Sequence, residues 1–259
     1  MRALFSYWVN EMNLPAVLAK YVLMPASRLV VALDVPDPER AATLVERLVP
    51  LGVLFKIGYE AYYAYGASIK SAFEQYGAEY VLDLKLHDIP RSVAAAVRAV
   101  VAPGVRLLTV HALGGAVMLE AAVAAAQERA AELGIPVPDV YAVTILTSIG
   151  AEDLGELGLI GGPGENAIRL AALARDARCA GVVCSVHEVA DLRAFFGNRF
   201  GTLCPGIRPA GSAHGAQKRA ATPREARDAG ADYAVVGRPI VEDADPVGAA
   251  RAILADLAP

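Results

Sequence analysis

Cysteine is scarce in this chain: Cys179, Cys184 and Cys204 are the only three in 259 residues. Their odd number and the absence of any C-x-x-C spacing exclude a disulfide framework, a zinc knuckle and a dithiol redox pair, and they suit a reducing cytoplasm. Histidine is equally sparse. His87, His111, His187 and His214 are scattered with no H-x-x-x-H pair and no clustering with cysteine, so no metal site is expected. No apolar run reaches the eighteen or so residues that a membrane span requires. An excess of positive charge is also missing. The formal net charge is −4 and the pI about 5.6, so no basic field is present to hold a phosphodiester backbone, and nucleic acid is not expected as a main partner. Residues 1–27 hold a short apolar patch interrupted by Asn10, Glu11 and Asn13, without a cleavage-site pattern. This reads as an N-terminal extension, helical and packed on the body, rather than a signal peptide.

What the chain does have is apolar residues, 55% of the total, in a repeating arrangement. Short β-branched runs recur at 29–33 (LVVAL), 53–57 (VLFKI), 79–85 (EYVLDLK), 106–111 (RLLTVH), 140–146 (VYAVTIL), 181–186 (GVVCSV), 200–205 (FGTLCP) and 233–237 (YAVVG). Between them lie Ala-rich stretches of helical period, such as PERAATLVERLV, AVMLEAAVAAAQERAAEL and ENAIRLAALARDA. Helix punctuation agrees: Asp37-Pro38 and Thr222-Pro223 read as an N-cap followed by proline at the first helical position, and Gly134 and Gly230 sit where helices stop. Apolar strands alternating with helices indicate an α/β protein with a parallel sheet. Eight such units predict a closed (β/α)8 TIM barrel, a single domain over residues 28–259. An open doubly wound sheet shares the alternation and is the competing arrangement.

A barrel presents its functional groups at the C-terminal ends of its strands. Here those ends carry Asp34, Lys56, Asp83 with Lys85, His111, Thr147 with Ser148, Ser185, the turn 205–208 (PGIR) and Gly237-Arg238. In the stretch VLDLKLHDIP, an extended backbone places Asp83 and Lys85 on one face, roughly 6 to 7 Å apart, with Leu82, Leu84 and Leu86 on the other. A buried ion-pair network that sets strand register would explain such charges. Against that, desolvating four charges is costly and apolar replacements are often no less stable, so alternating Lys and Asp in a concave mouth point to use. Opposite charges 4 Å apart attract by roughly 4 kcal/mol at an effective dielectric near 20, enough to hold them as ion pairs.

Arg208 and Arg238 fall in the loops after strands seven and eight, where barrels often bind phosphate, and Gly206 and Gly237 permit close backbone approach. The loop 206–221, which contains Gln217, reads as a mobile flap. The segment GGPGENA at 161–167 lacks dinucleotide-binding spacing and reads as a turn and helix start. His111 reads as a strand-end hydrogen bonder, and Cys184 as a small buried apolar residue.

Together the stretches VALD (31–34), FKIG (55–58), DLKLHDIP (83–90), VHALGG (110–115), TILTS (144–148), VVCSVHE (182–188), PGIRP (205–209) and GADYAVVGRPI (230–240) resemble the orotidine 5'-monophosphate decarboxylases, in their bacterial branch. The resemblance runs from about Arg28 to Leu257. It implies decarboxylation of orotidine 5'-monophosphate to UMP, the last step of de novo pyrimidine synthesis, with no cofactor. Residue by residue, it implies that Lys85 protonates C6 and that Asp83 lies against the substrate carboxylate. It implies that Lys56 and Asp34 contact the ribose, with Lys56 also bracing Asp83. Asp88 would reach a ribose hydroxyl in a neighbouring subunit's site, in a homodimer with shared sites. Thr147 and Gln217 would meet the pyrimidine, and Arg208, Gly237 and Arg238 would grip the phosphate.

The D-x-K-x-x-D pattern also resembles metal-dependent sugar-phosphate decarboxylases and aldolases, against which PGIRP and Gln217 argue. A non-catalytic phosphate-binding barrel is the remaining alternative, against which the intact Lys56, Asp83, Lys85 and Asp88 set argues. Two departures stand out: Arg91-Ser92 replaces the Asn-Thr usual after DIP in the bacterial pattern, with Ser92 keeping the hydroxyl, and the extension 1–27 has no counterpart in the resemblance.

Overall fold

The computed structural model describes residues 28–66, 73–210 and 219–259. The predicted N-terminal extension and Gln217 lie outside the described residues.

Eight parallel strands form a closed barrel in chain order: β1 (Leu29–Ala32), β2 (Leu54–Ile57), β3 (Tyr80–Leu86), β4 (Val105–His111), β5 (Asp139–Val143), β6 (Gly181–Val183), β7 (Gly201–Cys204) and β8 (Tyr233–Val236). Closure is direct, since Leu29 pairs with Ala234 and Val31 with Val236. That excludes the open doubly wound sheet.

The predicted helices form where their apolar spacing and caps require. In Pro38–Leu48 the residues Ala41, Leu44, Val45 and Leu48 recur at helical spacing and are all buried. Burying each of the larger ones contributes roughly 1.5–3 kcal/mol. Asp37 caps this helix by accepting from the Glu39 N–H at 3.0 Å, and Thr222 caps Pro223–Ala229 by accepting from the Glu225 N–H. Gly134 and Gly230 end their helices in left-handed conformation, with φ of 63° and 83°, a geometry that glycine adopts without steric cost. Pro163–Asp176 begins from the GGPGENA turn as expected. Several strands stop short of their apolar runs, among them 140–146, which ends at Val143, and 181–186, which ends at Val183. At the end of β6, Ser185 becomes the N-cap of Val186–Phe196, its N–H donating to Glu188 Oε2 at 2.6 Å. The cap claims the residues that periodicity had assigned to the strand.

Strand alternation sorts the core into two layers. Val30, Ala32, Leu54, Val81, Leu107, Tyr141, Val143, Val183, Leu203 and Val235 fill the barrel interior. Their neighbours in sequence, including Leu29, Val31, Leu33, Phe55, Ile57 and Leu82, pack outward against the helices. The inward parity matters for function. Continued toward the C-terminal ends, 30 and 32 lead to Asp34, Leu54 leads to Lys56 and Gly58, Val81 leads to Asp83, Leu107 leads to Thr109, and Val235 leads to Gly237. The apolar interior therefore gives way to polar groups over a single step along several strands.

Candidate active site

Asp34, Lys56, Asp83, Lys85, Thr147, Arg208, Gly237 and Arg238 line one cleft of about 300 Å³ at the C-terminal end of the barrel. At one side stands an alternating row of charges. Lys56 Nζ lies 3.2 Å from Asp34 Oδ1 and 3.5 Å from Asp83 Oδ2, while Lys85 Nζ lies 2.8 Å from the same Asp83 Oδ2. Lys56 and Asp83 are almost wholly buried, and the Lys85 side chain keeps 27% of its surface exposed toward the mouth.

Burial alone would raise the Asp83 carboxyl. Lys56, Lys85 and hydrogen bonds from Lys85 and Thr109 outweigh that penalty and hold it below the usual carboxylate range. Asp83 is thus a fixed negative charge at neutral pH.

The route by which Asp83 and Lys85 meet differs from simple alternation. Leu82 pairs with Leu108 and Leu86 with Val110, so four steps of β3 run against two of β4. Within this bulge Lys85 has a φ of +42°, a left-handed backbone that costs a non-glycine residue on the order of 1–2 kcal/mol. Across this bulge Lys85 Nζ meets Asp83 Oδ2 at 2.8 Å. Such strain at a functional position is expected where the surrounding structure over-determines it.

Thr109 is the main residue that the sequence reading passed over. It is wholly buried, donates to Asp83 Oδ1 at 3.0 Å and accepts from the Lys85 N–H at 2.9 Å. The inward parity of the run RLLTVH was the signal available for it. Gly58 is the second: a Cβ built there would stand 2.9 Å from both Asp34 Oδ1 and Lys56 Nζ.

Across the cleft, Arg208 is half-buried, donates from Nη1 to the Ile207 carbonyl at 2.9 Å, and has its pKa lowered first by burial and then by the nearby Arg238, with Glu242 opposing. Two neighbouring guanidiniums repel each other, and an anion between them converts that repulsion into charge-assisted binding. A parallel bridge between Ile207 and Ala221, with the Arg208 N–H donating to the Ala221 carbonyl at 2.8 Å, closes the base of the intervening loop. Beyond it, Arg219 pairs with the buried Glu188 and donates to the Ile145 and Leu146 carbonyls at 3.0 and 3.1 Å, tying this loop to the segment that carries Thr147.

Asp88 and Ser92 do not join the cleft. Both are exposed, past the end of β3, where Asp88 Oδ1 accepts from the Ile89 N–H at 2.6 Å. His111 behaves as a strand-end group: its Nδ1 accepts from the Leu113 N–H at 3.4 Å, and burial, His87 and Lys85 push its pKa down to about 4. Cys184 is buried, with its sulfur 3.9 Å from that of Cys204. Among the described residues no three His, Cys, Asp or Glu side chains converge as metal ligands would, and no helix is long and apolar enough to cross a membrane.

A model of the orotidine 5'-phosphate decarboxylase / HUMPS family matches residues 27–253. The chain is 47% identical to the orotidine 5'-phosphate decarboxylase of Moorella thermoacetica over 231 residues, covering 89% of this chain and 92% of the relative. It is 46% identical to the enzyme of the same name from Anaeromyxobacter sp. over 235 residues, covering 91% of this chain and 100% of that one. The crystal structure of orotidine 5'-phosphate decarboxylase from Lactobacillus acidophilus superposes with a TM-score of 0.76 at 34% identity, over 89% of this chain and 99% of that one. With its closed barrel and the aligned stretches spanning nearly its whole length, the chain belongs to the orotidine 5'-phosphate decarboxylase / HUMPS family.

Proposed function

We propose that this protein decarboxylates orotidine 5'-monophosphate to UMP without a cofactor, in the cytoplasm, as a homodimer. The observation that carries the reading is the row Asp34, Lys56, Asp83 and Lys85, facing two neighbouring guanidiniums across one cleft. The substrate phosphate binds between Arg208 and Arg238 against the Gly237 backbone. Asp34 and Lys56 take the ribose, Thr147 and Gln217 the pyrimidine, and the C6 carboxylate comes to rest beside Asp83 and Lys85.

As the bond from C6 to the carboxylate breaks, carbon dioxide departs and the electron pair stays on C6. The Lys85 ammonium, held 2.8 Å from Asp83, stabilises that developing charge and then delivers its proton to C6. Charges held in place beside the largely buried Lys56 and Asp83 are worth more than the same charges free in water. Contact with solvent through the mouth restores the proton to Lys85. Phosphate binding, remote from C6, supplies energy for holding the carboxylate against Asp83. Asp88 and Ser92, exposed past β3, serve the site of the partner subunit.

The test is the loss of substrate absorbance with purified protein in the presence of a chelator, repeated with Lys85→Ala. Turnover is expected to persist with the chelator and to fall by about 10²–10⁴-fold in the variant. Loss of turnover with the chelator would sink the cofactor-free reading. Full turnover by Lys85→Ala would remove that residue from its role.

A further inference from the structure

We propose that Thr109 is the positioning residue of the reacting pair: its hydroxyl holds the Asp83 carboxylate and the Lys85 backbone in the arrangement that aims both side chains into the cleft. The inference rests on the decarboxylase reading for its kinetic arm and on geometry alone for the rest.

The direction of this small network is unambiguous. A backbone N–H only donates and an ionised carboxylate only accepts, while a hydroxyl does both. The Lys85 N–H therefore donates to Thr109 Oγ1 at 2.9 Å, and Thr109 Oγ1 donates its proton to Asp83 Oδ1 at 3.0 Å. The two bonds use the hydroxyl from both sides and tie together the two residues of β3 that carry the charges.

The need for such a brace comes from the bulge. Between the pairs Leu82 with Leu108 and Leu86 with Val110, the regular ladder between β3 and β4 is interrupted, and Lys85 turns to a φ of +42°. Its N–H has left the ladder, and a buried amide needs a partner. The side chain of Thr109, on the strand directly alongside, takes the place of the missing carbonyl. Asp83 gains in the same stroke. Its Oδ2 receives Lys56 at 3.5 Å and Lys85 at 2.8 Å, while its Oδ1 is held by Thr109, so both edges of the carboxylate are fixed. Thr109 is wholly buried and is not among the residues that line the cleft, so it acts through Asp83 and Lys85 and not on the substrate.

The experiment compares Thr109→Val, which keeps the shape and removes the hydroxyl, with Thr109→Ser, which keeps the hydroxyl. Thr109→Ala serves as a second hydroxyl-free variant should the valine substitution not fold. For the hydroxyl-free variants kcat is expected to fall by about 10- to 100-fold, as for loss of a hydrogen bond to a charged group. KM, set largely at the phosphate end, is expected to stay within about three-fold, because Thr109 makes no contact with the substrate and its loss misplaces only the reacting pair. The acid limb of the pH profile moves to higher pH, since removing a donor raises the carboxyl pKa. Thr109→Ser restores kcat to within about three-fold of the parent. A folded Thr109→Val with the parent's kcat, or a serine variant as slow as the valine one, overturns the proposal.

An arm independent of turnover follows the Asp83 carboxyl by carbon-13 NMR titration in all three proteins. Its midpoint is expected to rise in Thr109→Val and not in Thr109→Ser, and an unmoved midpoint overturns the brace. A parent protein that leaves orotidine 5'-monophosphate untouched while the midpoint still rises in Thr109→Val sinks the decarboxylase reading and leaves the brace standing.

Discussion

Gly58 has no side chain, and the space where one would begin lies 2.9 Å from both Asp34 Oδ1 and Lys56 Nζ. Its φ of −93° is open to any residue, so the requirement here is room for the ion pair and not backbone freedom. Gly58→Ala is expected to push Asp34 and Lys56 apart, lowering kcat/KM by about ten- to a hundred-fold, as for an ångström-scale misplacement of catalytic groups. Steady-state kinetics alongside an unchanged melting profile would check this, and parent-like kinetics would show that the pair can re-pack. At this scale the charged residues were legible in sequence, because alternation and strand order together predict which side chains share the mouth. The conformation of Lys85 was not. A left-handed lysine is the outcome of a bulge against a neighbouring strand, and nothing within VLDLKLHDIP signals one. Thr109 escaped for a different reason: a threonine in a β-branched run looks like strand propensity, and only the inward parity from Leu107 separates it from its neighbours.

The strands and helices were the most legible level, since period, caps and stop signals agreed, and the eight runs became eight strands. The filling of the barrel floor was not legible, because it depends on which residues of different strands come level. Tyr141 on β5 reaches across the N-terminal ends of the next two strands, where Gly181 and Gly201 stand. It meets the ring of Tyr233 edge-on, with centroids 6.4 Å apart. A Cβ at Gly201 would collide with the Tyr141 hydroxyl and ring carbon, and an aromatic ring wedged between strands has little freedom to yield. Gly201→Ala is expected to destabilise the fold by roughly 1–3 kcal/mol, the range for overpacked cores. The melting temperature should drop by several degrees. Turnover per folded molecule should change little, since the substitution lies at the end of the barrel away from the cleft. Adding Tyr141→Phe should recover part of the loss by removing the hydroxyl. An unchanged melting temperature in Gly201→Ala would show that the tyrosine can move aside.

Across the whole molecule, the end of the barrel that carries the cleft also carries an apolar surface. Ile89 is 64% exposed, Val117 68% and Leu113 45%, at the turns and helix starts that follow β3 and β4. Asp88 and Ser92 lie in the same region, outside the cleft that contains Lys85. Large exposed apolar side chains grouped beside exposed polar ones are characteristic of a surface that another protein covers. A second copy related by a two-fold axis would let each subunit lend Asp88 to the site of the other. Sequence could suggest this only through resemblance, because a residue that works in a neighbouring subunit leaves no trace in the periodicity of its own strand.

Complementation tests the sharing. If sites are shared, both sites of a Lys85→Ala dimer would lack Lys85, and both sites of an Asp88→Ala dimer would lack the carboxylate from the other subunit. A mixed dimer holds one doubly damaged site and one site with Lys85 from one subunit and Asp88 from the other. Equal mixing with full exchange makes half of the dimers mixed, so recovered turnover should approach about a quarter of the parent value. Recovery should grow with the rate of subunit exchange and be absent at the moment of mixing. Exchange demonstrated by mass-tagged subunits, with turnover no higher than that of the two variants unmixed, would place Asp88 in the service of its own subunit instead.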